Sequence, residues 1–368
     1  MVKYVELPIE SIKEGMIVGR SIEDRYGRHL VERGTAITKY AIEELVGYGI
    51  RSVFVKPFYG NTDDDKAEEN HAVSKYAEYV IREYRRSDPK TVSLEDSVKK
   101  RIVKGLEFIN QSPDSSEVAK NVYWITEELM KAIIDNGAVA ININALKCSD
   151  EYTFTHSIDV ATISMVMARD LNKSDREVFE IGMAGLLHDI GKTKIPGEIL
   201  NKPSKLTAEE FEVMKKHSYY SYKIVATNNE IPFDVKAGIL QHHEKKNGSG
   251  YPHGLKGDQI HPYAKILTVA DIFDALVTER PYKKGKSMRE AVEMLLAMTD
   301  ELDLDALKSI MRVLILYPVD SIVKLSNGET ARVVKGNQGL LLRPVVVGIE
   351  TGNVYDLKAK ECAGIVIV

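Results

Sequence analysis

"FEIGMAGLLHDIGK", residues 179–192, carries an apolar run straight into a histidine and an aspartate. The run reads as a buried helix that ends on His188 and Asp189, with Gly191 close behind. A charge at the end of an apolar helix is costly unless it is paired or bound to a cation. A second stretch has the same shape: "KILTVADIFDAL", residues 265–276, runs its apolar residues into Asp271. A third, "TFTHSIDVATISMVMARDL" at 153–171, is helical in pattern and carries His156 near its start. His217 lies in "MKKHSYYS" (214–221), and His242 and His243 open "HHEKKNGSGYPHGL" (242–255).

Five of the nine histidines of the chain fall in this set. His29, His71, His253 and His261 sit in turn-like or polar surroundings. One buried histidine is ordinary core chemistry. Five, with two aspartates on separate helices, share one explanation: they converge on metal. Imidazoles and carboxylates without thiolates suit first-row ions such as Fe, Mn, Zn, Co or Ni. Seven donors exceed what one open catalytic ion takes, and they suit two ions about 3.5–4 Å apart bridged by a carboxylate. Asp189, anchored by its neighbour His188, is the natural bridge. One ion then takes His156, His188, Asp189 and Asp271, the other Asp189, His217, His242 and His243. A bridging hydroxide and two substrate oxygens would fill the remaining positions.

Around this constellation the chain has a clear organisation. Residues 66–310 are helical in pattern. "SSEVAKNVYWITEELMKAII" (115–134) sets Val118, Val122, Ile125, Thr126, Leu129, Met130, Ile133 and Ile134 on one stripe, with Trp124 as packing. Residues 1–57 read as a small α+β module. In it, "GMIVGRSI" and "HLVERGTAI" are strand-like about a "DRYGR" turn, Thr38 caps a helix that stops near Gly49, and "IRSVFVK" is a returning strand. "PFYGNTDDDKAEEN" (57–70) is a charged linker whose Asp63, Asp64 and Asp65 suit a helix start. After Pro318, "DSIVKLSNGETARVVKGNQGLLLRPVVVGIETGNVYDL" alternates short β-branched runs with turns, as a strongly curved sheet or barrel-like module would. The expected architecture is multidomain and mainly α. An α+β regulatory or docking module (1–57) is followed by a charged linker and helices (58–144), a helical metallohydrolase core (145–315) and a β-rich module (316–368).

The composition excludes several classes. The 368 residues carry a net charge of −4, which gives no bulk attraction to nucleic acid or an anionic membrane, so an anionic ligand needs a local site. Two cysteines, Cys148 and Cys362, make no disulfide framework and fit a reducing cytoplasm. "VLILYPV" (313–319) falls well short of the roughly 18 apolar residues of a membrane span.

"HDIGK" followed by "HHEKKNGSGYP" resembles the HD-GYP subgroup of the HD phosphohydrolase superfamily, over about residues 145–315. The resemblance implies an all-helical domain with a bi- or trinuclear site that often holds iron. It implies hydrolysis of cyclic di-GMP to linear pGpG, and in some members on to GMP, and, from family habit, a homodimer. Carried over residue by residue, the metal ligands are the seven named above, and Lys192 matches the lysine beside the scissile phosphate. Gly250, Tyr251 and Pro252 match the GYP element, whose turn offers backbone N–H groups to an anion. Arg280 and Lys283 in "DALVTERPYKKG" match a substrate-contacting segment. Glu244 and Asp274 are expected to orient ligand histidines. Relatives with a third metal carry a glutamate one turn before the first histidine. Tyr152 stands there in this chain, and Glu151 lies off that face, so two ions are expected. Two other readings remain: hydrolysis of another cyclic dinucleotide such as cyclic GMP-AMP, and a non-catalytic cyclic-dinucleotide receptor, which intact ligand positions disfavour.

Overall fold

The computed structural model describes residues 5–9, 12, 16–23, 29–33, 35, 37–56, 73–142, 155–278, 285–337 and 339–368. The turn 24–28, the linker 57–70 with Asp63, Asp64 and Asp65, and His71 lie outside these residues, as do Cys148, Glu151, Tyr152, Arg280 and Lys283. The chain divides into two compact units, residues 1–78 with 349–351, and 79–348 with 352–368.

In the first unit, β1 (Val5–Pro8) and β2 (Ile17–Val18) both pair antiparallel with β5 (Ser52–Lys56), while β3 (Ile22–Glu23) pairs with β4 (His29–Val31). The helix α1 (Lys39–Gly47) starts where Thr38 Oγ1 accepts from the Ala41 amide at 3.2 Å. Ile9, Val18, Ile37, Leu45, Val53 and Val55 form its core.

The second unit is mainly helical. Helices α2 (Lys75–Tyr84, begun in the first unit), α3 (Asp96–Gln111) and α4 (Val118–Asp135) lead into it. The stripe on α4 is buried from Val118 to Ile133, with two adjustments. Thr126 is buried because its hydroxyl donates to the Val122 carbonyl at 2.7 Å, whereas Ile134 is 44% exposed and falls off the stripe. Trp124 packs against the core, with the Arg101 guanidinium over its ring.

The centre is built by α5 (Thr155–Asp170) against α6 (Asp175–Leu187), followed by α7 (Gly197–Leu200), α8 (Ala208–Ala226), α9 (Phe233–Gln241), α10 (Pro262–Val277), α11 (Met288–Ala297) and α12 (Leu304–Val313). Helix α6 is buried along almost its whole length after its first turn. Such a helix needs a well-made start. Ser174 Oγ accepts from the Glu177 amide while Glu177 returns a carboxylate oxygen to the Ser174 amide at 2.9 Å. These bonds hold the Glu177 carboxyl down at about 2. Its depressed value means that the contribution is present above pH ~4.5 and fades as pH falls towards 2. Ser174→Ala should therefore lower stability by about 1 kcal/mol at neutral pH. It should also flatten the acid limb of a stability-versus-pH curve, as read by urea denaturation. An unchanged acid limb would reject the assignment.

The C-terminal strands β6 (Ile322–Lys324), β7 (Thr330–Lys335), β8 (Val345–Gly348) and β9 (Val354–Asp356) form an antiparallel meander in that order. Val333 faces Val346 across β7 and β8. Ala331, Val333, Val346 and Leu357 give the sheet a small core of its own. The expected barrel is not closed: among the described residues the strand pairing runs from β6 to β9 without joining the two edges. Among the described residues no helix is long and apolar enough to cross a membrane.

Candidate metal centre

His188 caps the C-terminus of α6 and His242 that of α9, so the His188-Asp189 and His242-His243 pairs both emerge from helix C-termini. The carbonyl ends of helices carry partial negative charge, which favours a cation. His217 comes from the middle of α8, His156 from the first turn of α5 and Asp271 from α10. All seven side chains meet.

His156 Nε2 lies 3.5 Å from Asp189 Oδ2 and 3.2 Å from Asp271 Oδ1. His188 Nε2 lies 3.2 Å from Asp189 Oδ2. On the other side, His217 Nε2 is 3.4 Å from Asp189 Oδ1, 3.4 Å from His242 Nε2 and 3.1 Å from His243 Nε2. Asp189 thus turns one oxygen to His156 and His188 and the other to His217. Three groups have donor atoms close enough to hold an ion: His156, His188 and Asp271; His217, His242 and His243; and, between them, His188, Asp189 and His242. Each of the first two groups holds three of the four donors expected for one half, while Asp189, expected in both halves, falls in the third group, which joins His188 of one half to His242 of the other.

The hydrogen bonds behind these atoms decide what they offer. His188, His217 and His242 each place Nδ1 on the main-chain carbonyl three residues back, at 2.7, 2.8 and 2.6 Å. A carbonyl only accepts, so Nδ1 carries the proton, and on a neutral ring Nε2 is a bare lone pair. His156 is anchored differently, through Nδ1 to Asp274 Oδ2 at 2.6 Å. The expected orienting role of Asp274 matches this contact. Burial, and then the surrounding imidazoles, push His242 well below the ordinary histidine range, and burial holds His243 at about 3 and lowers His217. For His156 burial opposes charge, but Asp189, Asp271 and Asp274 outweigh it and raise the group. Burial also opposes charge on Asp189 and Asp271, yet the imidazoles, with Lys192 at Asp189, keep both ionised.

The donor set fits divalent ions. His217 and His242 are neutral, and their bare nitrogens face each other across 3.4 Å, an arrangement that repels unless a cation lies between. His156 Nε2, His188 Nε2 and Asp189 Oδ1 are buried without a hydrogen-bond partner. A cation at the point where these atoms converge would give them the partner they lack.

Lys192 places its ammonium on Asp189 Oδ2, at the edge of the centre. Much of the main-chain donor capacity of the GYP turn is used within the turn. The amides of Gly248, Ser249, Tyr251, His253 and Leu255 are all engaged within residues 243–255, so these donors do not face an anion. What the turn presents is the Tyr251 ring, tilted against His243 with centroids 4.6 Å apart, with Lys215 Nζ 5.9 Å from its centre. Gly250 makes this possible, because a Cβ there would stand 2.3 Å from the Lys245 amide nitrogen. Pro252 follows Tyr251 through a cis peptide bond and is exposed. Glu244 is corrected too. It is buried, but it accepts from the His253 and Leu255 amides at 2.7 and 2.9 Å, so it shapes the turn and orients no histidine.

Sequence reasoning missed Ser221 and Thr268, whose hydroxyls reach the carbonyls of His188 and His242. A hydroxyl one turn from a candidate ligand was the only available signal.

Residues 138–306 match the family model described as HD domain. The chain is 35% identical over 222 residues, 60% of its length, to the cyclic di-GMP phosphodiesterase PA4108 of Pseudomonas aeruginosa. It is 42% identical over 154 residues, 42% of its length, to a cyclic di-GMP phosphodiesterase of Thermotoga maritima. It is 40% identical over 145 residues, 39% of its length, to the 3'3'-cGAMP-specific phosphodiesterase 3 of Vibrio cholerae. The chain spans 54%, 42% and 31% of the lengths of these relatives. The HD and GYP motifs thus meet at one centre within residues 138–306, the part of the chain that matches the HD domain family.

Proposed function

We propose that this chain is a metal-dependent phosphodiesterase that opens cyclic di-GMP to linear pGpG. The observation that carries the reading is the pair of neutral imidazoles, His217 and His242, facing each other with bare nitrogens beside Asp189. Two divalent transition ions, iron foremost and manganese as the alternative, would be held by His156, His188, Asp189 and Asp271 and by Asp189, His217, His242 and His243. Bound there, the ions supply Lewis acidity toward phosphate oxygens and activate water near neutral pH.

The chain's own residues do the rest. The main-chain anchors of His188, His217 and His242 fix which nitrogen each presents. Asp274 does the same for His156. Tyr251 offers a ring face for a base or a sugar–phosphate edge beside His243. Lys192 holds a positive charge where negative charge develops and can return a proton to the leaving oxygen. Arg280 and Lys283 are proposed to grip phosphate or guanine edges. Tyr152, in place of a third-metal carboxylate, favours stopping at pGpG. The relatives named as cyclic di-GMP phosphodiesterases support this substrate. Those named as cGAMP-specific support the second reading, cyclic GMP-AMP, for the same centre. The reading includes a cytoplasmic homodimer, with modules 1–57 and 316–368 regulating the helical core 145–315.

Anaerobically purified protein should contain two ions per chain and hydrolyse cyclic di-GMP faster than cyclic GMP-AMP. No turnover of either with two ions bound, in the iron and manganese forms alike, would sink the enzyme reading and leave the receptor. Lys192→Ala should keep both ions and slow turnover by about 10²-fold or more. A variant that turns over normally would remove Lys192 from the chemistry.

A further inference from the structure

Two hydroxyls tie the donor-bearing elements together. Ser221 Oγ donates to the His188 carbonyl at 2.7 Å and accepts from the Gly191 amide at 2.8 Å. It thereby spans the residue pair that brings Asp189 into the centre. Thr268 Oγ1 donates to the His242 carbonyl at 2.8 Å, sharing its proton with the Ala264 carbonyl of its own helix at 2.7 Å. Both side chains are buried, 0% and 4% exposed.

The two arrangements are alike in construction. Each acceptor carbonyl belongs to the residue that caps the C-terminus of a helix, α6 or α9, where a carbonyl lacks an intrahelical donor. Each hydroxyl sits one turn from a donor residue on another helix: Ser221 after His217 on α8, Thr268 before Asp271 on α10. So His188 is fastened to the helix of His217, and His242 to the helix of Asp271. Each link joins donors that the sequence places far apart.

We propose that Ser221 and Thr268 are positioning residues that set the metal affinity of the centre by fixing the register between these pairs of helices. The proposal rests on the metal reading above. Neither hydroxyl touches a donor atom; each acts through the main chain of a donor residue. Thr126 supplies the control. Its hydroxyl is equally buried but bonds only to the Val122 carbonyl of its own helix.

The test uses the full-length chain, stripped of metal and titrated with Mn(II) and with Zn(II) against a chromophoric chelator, alongside urea denaturation of the metal-free forms. Ser221→Ala and Thr268→Val should each weaken metal binding about 10- to 100-fold. Thr268→Ser should bind as the wild type does. Thr126→Val should keep wild-type affinity whatever stability it loses. Ser221→Cys keeps the volume while weakening the donor, and gives the same reading if the alanine variant does not fold. Wild-type affinity in both Ser221→Cys and Thr268→Val overturns the proposal. Equal weakening in Thr126→Val also overturns it, since the effect would then be lost stability alone. A wild-type chain that takes up neither ion is a distinct result, which removes the metal reading and this proposal together.

Discussion

Asp189→Ala is expected to empty both halves of the centre and reduce hydrolysis to background. The carboxylate turns Oδ2 to His156 and His188 and Oδ1 to His217, all within 3.5 Å, so it is placed to serve both ions. Removing it also leaves the Lys192 ammonium beside the imidazoles that it now helps to balance. Loss of affinity should exceed the roughly 10- to 100-fold typical of residues that merely orient a ligand. Metal analysis of the purified variant checks this directly. Two ions retained per chain would show that Asp189 is not the bridge, and one retained ion would assign it to a single half.

The second large effect is expected at Gly191, a residue that carries no functional atom. A Cβ at this position would stand 2.1 Å from the His217 carbonyl oxygen and 2.3 Å from the Ser221 amide nitrogen. Both neighbours are main chain of α8, which cannot rotate out of the way. Gly191→Ala must therefore push the turn after His188 off the helix that supplies His217. Overpacking of this kind costs about 1–3 kcal/mol. A shift near 1 Å also ruins a site that needs its donors held within about 0.5 Å. The variant should be less stable in urea in its metal-free form and should bind metal at least tenfold more weakly. Wild-type values for both would mean that the close contact relaxes freely.

Much of the centre was legible from residue type and context. His188, Asp189 and Asp271 betray themselves because each ends an apolar run, where a charge needs a reason. His156, His217, His242 and His243 then add up to more imidazole than a core requires. The orienting role of Asp274 follows from its helical spacing to Asp271. Glu244 shows where this logic stops. A carboxylate beside two histidines looks like an imidazole partner, but it serves the amides of His253 and Leu255, which the turn brings back to it. Ser221 and Thr268 were illegible for a different reason. In "HSYYS" and "LTVAD" a hydroxyl says nothing about which carbonyl it will meet, since the partner lies on another helix. The C-terminal strands were visible as β-branched runs, but whether a sheet closes depends on how its edges meet, and alternation along a strand does not encode that.

The donors are drawn from five separate elements between His156 and Asp271, most of the helical core. A chain emerging from the ribosome therefore owns no complete cradle until α10 has been made and docked. Cation capture must follow folding, and captured ions then clamp the first and last of these helices to each other. Chelation should accordingly expose the whole core to proteases at once, without loosening any one loop first.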